Sequence, residues 1–166
     1  MPAESSAVYP FGDMLALARQ SWLGELSGRL AGRGYDGYRR SDAGALRLLR
    51  HGPASVGQLG ALLGVTRQAA RKVANGLEQR GFVTTGRNPR DARQVDITLT
   101  PAGQDYARAV TDVIAELNAE VARRADPAQL AAADAVLRAV LFDESARQRA
   151  GRLPRPPSTG YGSSPS

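Results

Sequence analysis

The chain has 166 residues, of which 42% are hydrophobic and 5% aromatic, so one compact domain with a mainly aliphatic core is expected. It contains no cysteine, which excludes disulfides, thiolate metal sites and cysteine nucleophiles. No apolar run suits a transmembrane helix, and the first residues do not resemble a secretory signal. We therefore expect a cytoplasmic protein without membrane contact.

The net charge of +6 is unevenly distributed along the chain. Thr66 to Gln94 holds seven basic and two acidic residues, Asp96 to Glu144 carries a net charge of −5, and Ser145 to Ser166 holds four arginines and no acid. A basic segment of this kind indicates a localised polyanion-binding face. A solvated basic surface is the alternative that charge alone leaves open.

Apolar residues at helical spacing predict a first helix from Phe11 to about Leu30. Glycines then interrupt the pattern, and Ser41 is expected to cap a second helix that runs to about His51. Gly and Pro end that helix, and Ser55 is expected to cap a short third one.

Gly64 suits a tight turn, and Thr66 suits the N-cap of a fourth helix from Arg67 to Arg80. Small Gly60 and Ala61 are expected to let the third and fourth helices cross closely. Apolar side chains are expected to hold this pair together: Leu59, Leu63, Val65, Val73 and Leu77. This pattern is typical of a helix-turn-helix.

Two strands, about Phe82 to Thr85 and Gln94 to Leu99, are predicted to form a hairpin after the fourth helix. Thr100-Pro101 is typical of the start of a long helix, and Asp126-Pro127 of a last helix. The Pro-, Gly- and Ser-rich end of the chain is predicted to be disordered.

The outer face of the fourth helix carries side chains that pair with base edges and phosphates in a DNA major groove. These are Arg67, Gln68, Arg71, Lys72 and Asn75. A capped helical hairpin with a polar exterior would show the same helical pattern. The hairpin that follows favours a winged helix, whose loop lies beside the recognition helix.

Two segments, "LGALLGVTRQAARKVANGLEQRGFV" and "NPRDARQVDITLTPAG", resemble the MarR family of bacterial transcription regulators. The resemblance covers roughly Ser41 to Ala107. The combination of Asp91 and Arg93 with a strand ending at Leu99-Thr100 and a following Gly103 is its most specific part.

The resemblance implies a homodimer that binds double-stranded DNA at a pseudo-palindromic operator, with the first and last two helices forming the dimer interface. Arg93 would enter the minor groove and Asp91 would orient it, while Ser55 would donate to a phosphate. Arg87 and Arg90 are expected phosphate contacts. The major-groove residues and their neighbours would be Thr66, Arg67, Gln68, Ala69, Arg71 and Lys72.

This sequence departs from the family pattern at several positions. Thr85 and Gly86 stand where the family often has Arg, Ala92 where a second wing Arg is common, and Gln68 where many members have Pro. The operator sequence therefore does not carry over from the family.

Trp22, Tyr38 and His51 are candidates for binding a small aromatic or phenolic effector, for which an Arg39 or Arg40 partner is available. The alternative is that Trp22 and the tyrosines pack in the dimer core and the helix junction. His51 has no second histidine or cysteine beside it, so neither a metal site nor catalysis is expected. A carboxylate face at Asp112, Glu116 and Glu120 is expected to be solvated, or to pair with Arg123 or Arg124.

The predicted fold is mainly α with a small β-hairpin: a winged helix-turn-helix module with N- and C-terminal dimerisation helices. The flexible N-terminus would span 1–10, one MarR-like domain 11–150, and a disordered basic tail 151–166. Within the domain, the winged helix would occupy about 41–100 and the dimerisation helices about 11–32 and 100–148. The expected function is a ligand-responsive repressor without enzymatic activity or a cofactor; the alternative is a sequence-tolerant architectural DNA-binding protein.

Overall fold

The computed structural model describes residues 10–88 and 94–153. Within these ranges the chain forms seven helices and three short strands, so the predicted mainly helical fold with a β-hairpin is confirmed. The elements are α1 (Phe11–Ala31), α2 (Asp42–Leu49), β1 (Ala54–Ser55), α3 (Val56–Leu63), α4 (Arg67–Gln79), β2 (Val83–Arg87), β3 (Val95–Leu99), α5 (Pro101–Arg124), α6 (Pro127–Ala139) and α7 (Glu144–Gly151). Predictions for residues 1–9, 89–93 and 154–166 lie outside the described residues.

The three strands form one antiparallel sheet in the order β1-β3-β2. β2 and β3 make the predicted hairpin, with Val83 opposite Leu99 and Arg87 opposite Val95. β1 pairs with the other edge of β3 and was not predicted, because two residues are too short to show a strand pattern. The sheet thus connects the residues before α3 to the hairpin after α4.

The core lies where α1, α2, α3, α4, α5 and the sheet meet. Its largest side chains are mainly aliphatic, as expected, with an aromatic group formed by Tyr35, Phe82 and Tyr106. The ring centroids of Phe82 and Tyr106 are 4.3 Å apart, and those of Tyr35 and Tyr106 are 5.0 Å apart. Three of the nine aromatic residues thus lie together where the loop after α1 meets α5.

Two carboxylates of α5, Glu116 and Glu120, pair with arginines in α1 and just after it. Arg29 Nη2 lies 2.6 Å from Glu120 Oε1, and Arg33 Nη2 lies 2.6 Å from Glu116 Oε1. Glu116 is exposed and Glu120 lies 3.7 Å from Arg124, both as predicted, but the pairs with Arg29 and Arg33 were not predicted. The hydrogen bond from Arg29 holds the pKa of Glu120 below its ordinary value. These ion pairs join the two long helices.

The end of the described chain contains two helices where one was predicted. α6 ends at Ala139, and α7 begins after Asp143, whose carboxylate accepts hydrogen bonds from the backbone N–H groups of Ser145 and Ala146. The Ser145 bonds, followed by the Ala146 bond, lower the pKa of Asp143. The helix predicted to begin at Asp126-Pro127 is confirmed, but it ends at Ala139 and is not the last helix, because Asp143 caps a further one.

Candidate DNA-binding surface

Two N-caps and a left-handed glycine define the geometry of α3 and α4. Ser55 Oγ accepts from the N–H of Gln58, whose side chain accepts from the N–H of Ser55, so the predicted cap is a reciprocal capping box. Gly64 has φ +66°, and Thr66 Oγ1 accepts from the N–H of Ala69. The predicted helix-turn-helix caps are therefore confirmed.

The close approach of the two helices depends on Gly60. A Cβ at this position would lie 3.1 Å from the carbonyl oxygen of Val65 and 3.5 Å from the Cβ of Ala70. Ala61 is exposed, so the expectation that its small size lets the helices cross closely is wrong. Val65 is 42% exposed, so the expectation that it holds the two helices together is not met. Leu59 and Leu77 are fully buried and provide that contact.

The outward face of α4 is polar and basic, as the sequence indicated. Ala70, Ala74 and Leu77 face the core. Five exposed residues share the opposite face: Arg67, Gln68, Arg71, Lys72 and Asn75. Ala69 is half-buried between the two faces. This arrangement presents guanidinium, ammonium and amide donors along one side of a helix.

A carboxylate links α4 to the hairpin. Glu78 Oε1 accepts from both the backbone N–H and the hydroxyl of Thr85, each at 2.8 Å. Arg87 is exposed at the end of β2. Arg90, Asp91 and Arg93 lie outside the described residues, so their predicted roles at the wing stay predictions. Sequence reasoning missed the Glu78–Thr85 link, which orients the hairpin relative to α4.

Arg80 belongs to an internal network rather than to the basic face on which the charge count placed it. It donates to both carboxylate oxygens of Asp42, at 2.9 and 3.0 Å, and its guanidinium lies 5.4 Å from the ring centroid of Phe82. The hydroxyl of Tyr106 donates to Asp42 Oδ2 at 2.8 Å. Asp42 also accepts from the backbone N–H of Arg39. The network joins α2, the end of α4 and α5.

The environment of this network shifts the pKa values of its members. Burial lowers the pKa of Arg80, but the hydrogen bonds and charge of Asp42 more than offset this, so the pKa is raised overall. Burial, and then the hydrogen bond to Asp42, raise the pKa of Tyr106 far above its ordinary value. Burial and the charge of Asp42 also raise the pKa of Tyr38. The carboxylate is therefore held by one permanently charged and one neutral donor.

Ser41 occupies the residue before α2, but its side chain makes no cap hydrogen bond. Ser41 thus stands at the predicted N-cap position, but the predicted hydrogen bond from its side chain is absent. The neighbouring carboxylate, Asp42, is instead buried and pairs with distant residues. An aspartate in the first turn of a helix was a local signal, but it did not identify partners 38 and 64 residues away.

The three effector candidates occupy different places in the described structure. His51 lines a cavity of about 570 Å³ between α2, α3 and α7, whose wall is mostly apolar. Trp22 lines a groove between α1 and α5. Tyr38 packs against the core near Asp42. The structure therefore does not bring these three residues together.

In the part of the chain that the structure describes, no group of three or more His, Cys, Asp or Glu side chains could hold a metal ion. No helix in residues 10–88 and 94–153 has the length and apolar character needed to cross a membrane.

A helix-turn-helix followed by a β-hairpin, with a basic outer helix face, defines the winged helix-turn-helix fold. Residues 36–94 match the model of the MarR family. The resemblance to the MarR family of transcription regulators is therefore confirmed. The family model matches the sequence over residues 36–94, and solved structures of MarR proteins share the fold. No match was found among curated proteins.

Several solved structures share this fold. A crystal structure of mutant MarR from E. coli complexed with operator DNA matches with a TM-score of 0.67 and 21% identity, over 80% of this chain and 94% of that chain. Bordetella bronchiseptica BpsR, whose DNA binding is regulated by 6-hydroxynicotinic acid, matches with a TM-score of 0.66 and 20% identity, over 87% and 100%. A probable transcriptional regulator from Pseudomonas aeruginosa matches with a TM-score of 0.64 and 22% identity, over 80% and 97%.

Proposed function

We propose that this protein is a transcriptional repressor that binds a pseudo-palindromic DNA operator as a homodimer and releases it when a small effector binds. The observation that carries the proposal is the outer face of α4, where Arg67, Arg71 and Lys72 are exposed beside Gln68. Arginine and lysine would neutralise phosphates, and amide and guanidinium groups would read base edges.

Homodimerisation is supported by apolar side chains that the described chain leaves uncovered. In the first half of α1, Leu15 and Leu17 are exposed, although Leu26 and Leu30 of the same helix are fully buried. Near the other end, further apolar residues are exposed: Val136, Leu137 and Phe142. Exposed apolar groups on terminal helices fit an interface between two copies of the chain.

Footprinting on DNA upstream of the gene tests the operator. We expect two protected half-sites about one helical turn, or roughly 34 Å, apart. Competition with random duplex at physiological salt separates a specific regulator from an architectural protein. Equal affinity for the footprinted DNA and random duplex would overturn the regulator and favour the architectural alternative.

The regulatory direction and the effector need their own tests. Deleting the gene should raise transcription from the footprinted promoter if the protein is a repressor; a fall would make it an activator. Phenols and benzoates are the effector classes to test first, because His51 and Arg47 line a mostly apolar cavity between α2, α3 and α7 that could hold an aromatic ring with a polar group. An effector of this kind should weaken operator binding, and a panel without effect would overturn the effector class.

A further inference from the structure

The short helix α7 brings an arginine to the turn between α3 and α4. The guanidinium of Arg149 lies so close to Gly64 that a Cβ on that glycine would be 2.8 Å from Nη1 and 3.1 Å from Cζ. Gly64 is two residues before Thr66, the N-cap of α4. Two Cα steps span at most about 7.6 Å, so this positive charge is adjacent to the N-terminus of the recognition helix.

A mostly apolar cavity separates α7 from α2 and α3. Ala146, Ala150 and Leu153 line it opposite Leu48 and Leu62, and Arg149 and Arg152 line it as well. A second groove, lined by Ser145, Gln148, Arg149 and Arg152, runs beside Gln58 and Ala61 of α3. Both arginines therefore lie next to α3 and the turn that follows it.

The basic charge of α7 lacks an acidic partner where it meets the turn. Arg147 pairs with Glu144 at 3.1 Å. Arg149 donates to the neutral hydroxyl of Ser145, and among residues 10–88 and 94–153 neither Arg149 nor Arg152 has a carboxylate within ion-pair distance. Asp143, at the start of α7, interacts electrostatically with Arg149 without coming within ion-pair distance. The positive end of the α4 dipole and the exposed Arg67 follow Gly64 within three residues, so positive charge predominates beside the turn.

We propose that α7 is a second DNA-contacting element, in which Arg149 and Arg152 bind backbone phosphates of the duplex beside the groove that α4 enters. The inference rests on the proposed DNA-binding function. Guanidinium groups fit phosphate oxygens in a bidentate manner, and such contacts add affinity and fix orientation without reading sequence. The hairpin follows the C-terminal end of α4, so α7 would clamp the DNA at the other end of the recognition helix.

The test is the salt dependence of operator binding by the full-length protein, measured on the footprinted fragment from about 50 to 300 mM salt. Arg149→Gln combined with Arg152→Gln should reduce the log–log slope by about 0.9 for each phosphate contact removed. At about 0.15 M salt the same relation gives a loss of about fivefold in affinity per contact. The ratio of the affinity for the operator to the affinity for random duplex should stay unchanged, because phosphate contacts do not read sequence.

Two controls separate direct contact from net charge and from unfolding. Arg123→Gln combined with Arg124→Gln removes the same charge from exposed positions in the last turn of α5, and should leave the slope near wild type. Arg149→Lys combined with Arg152→Lys keeps the charge and should restore most of the slope. Thermal unfolding of each variant checks that the fold is retained.

The outcomes distinguish this inference from the proposed function. If wild type binds its operator and the α7 variant has the slope of the α5 control, the α7 contact is overturned and the regulator stands. If wild type shows no binding to duplex DNA, the proposed function itself is overturned. Ethylation of phosphates flanking the half-sites should interfere with binding by wild type and not by the α7 variant.

Discussion

At the scale of single residues, Asp42 is the most constrained polar side chain in the described core. It is 1% exposed, and it accepts from Arg80, from Tyr106 and from the backbone N–H of Arg39. A buried carboxylate is stable only when its charge is paired and its lone pairs are used. Asp42 meets this condition through groups from three parts of the chain.

Replacing Asp42 with Ala should lower the free energy of unfolding by about 3 kcal/mol, because it leaves the Arg80 charge without a partner in a partly buried site. Chemical denaturation measures the loss. Asp36→Ala removes an exposed carboxylate from the preceding loop and should stay within about 0.5 kcal/mol of wild type. A cost below about 1 kcal/mol for Asp42→Ala would show that the network contributes little to stability.

The raised pKa of Tyr106 predicts instability at alkaline pH. Below the ordinary pKa of 10.0 the hydroxyl is protonated in both the folded and unfolded chains, so this group adds no pH dependence there. As the pH rises above that value, the unfolded chain loses the proton and the folded chain keeps it, which favours unfolding.

The melting temperature of wild type should therefore fall as the pH increases beyond about 10. Tyr106→Phe cannot ionise and should show a shallower fall, with Tyr38 supplying the remainder because its pKa is also raised. Parallel curves for wild type and Tyr106→Phe would contradict the assignment.

Local chemistry explains which residue roles could be predicted from the sequence. The N-caps formed by Ser55, Thr66 and Thr100 and the left-handed turn at Gly64 act within three residues of their own position, so the sequence alone indicated them. The partners of Asp42 lie in other elements, and no periodicity relates them. The exposed face of α4 could be predicted from the sequence. That Arg80 turns away from this face and pairs with Asp42 could not, because the two residues are far apart in the chain.

At the scale of elements, the start of α5 is fixed against the hairpin. Thr100 accepts from the N–H of Gly103 and donates to the carbonyl of Gly81 at 2.6 Å. A Cβ on Gly103 would lie 1.8 Å from the carbonyl oxygen of Phe82, which is backbone. The glycine that formed part of the family resemblance is thus required by a close helix–strand contact.

Gly103→Ala should destabilise the protein by at least about 2 kcal/mol, because the first turn of α5 and the start of the hairpin would have to separate. Gly24→Ala is the matched control: its Cβ would meet no atom within 4 Å, so helix propensity alone predicts a gain of up to about 1 kcal/mol. Thermal unfolding measures the stability of both variants. Equal stability of the two would show that the contact between Gly103 and Phe82 can adjust to a Cβ without loss of stability.

The number of elements was harder to predict at the end of the chain than in the middle. Helices α3 and α4 have clear caps and a buried face, and their predicted bounds agree closely with the structure. Neither α6 nor α7 contains a fully buried residue, so hydrophobic periodicity carried little information there. The same lack of burial indicates that these helices are incompletely covered by the described chain.

At the scale of the whole molecule, charge and apolar exposure occur in separate regions. Basic side chains lie on the outer face of α4 and at the end of α7, whereas Glu116 and Glu120 of α5 are paired with arginines in and just after α1. The exposed apolar side chains lie on α1, α6 and the segment between α6 and α7. The face formed by α4 and the end of α7 could thus bind a polyanion. The exposed apolar side chains of the terminal helices could pack against a second protein chain.

The proposed homodimer predicts that Leu17→Lys produces a folded monomer. Leu17 is 58% exposed, so a lysine there costs the isolated chain little, but it would place an unpaired charge in an apolar interface. Gln20→Lys adds the same charge at another exposed position of α1 and controls for helix content and net charge. Sedimentation velocity should give a dimer for wild type and a monomer for Leu17→Lys.

The consequence for DNA follows from symmetry, because a monomer can occupy one half-site but cannot gain the linked second contact. Leu17→Lys should therefore shorten the footprint or weaken operator binding by at least about 100-fold, while circular dichroism remains that of wild type. A monomeric wild type would overturn the dimer outright. A dimeric Leu17→Lys would move the interface away from the first half of α1, and toward the exposed Val136, Leu137 and Phe142.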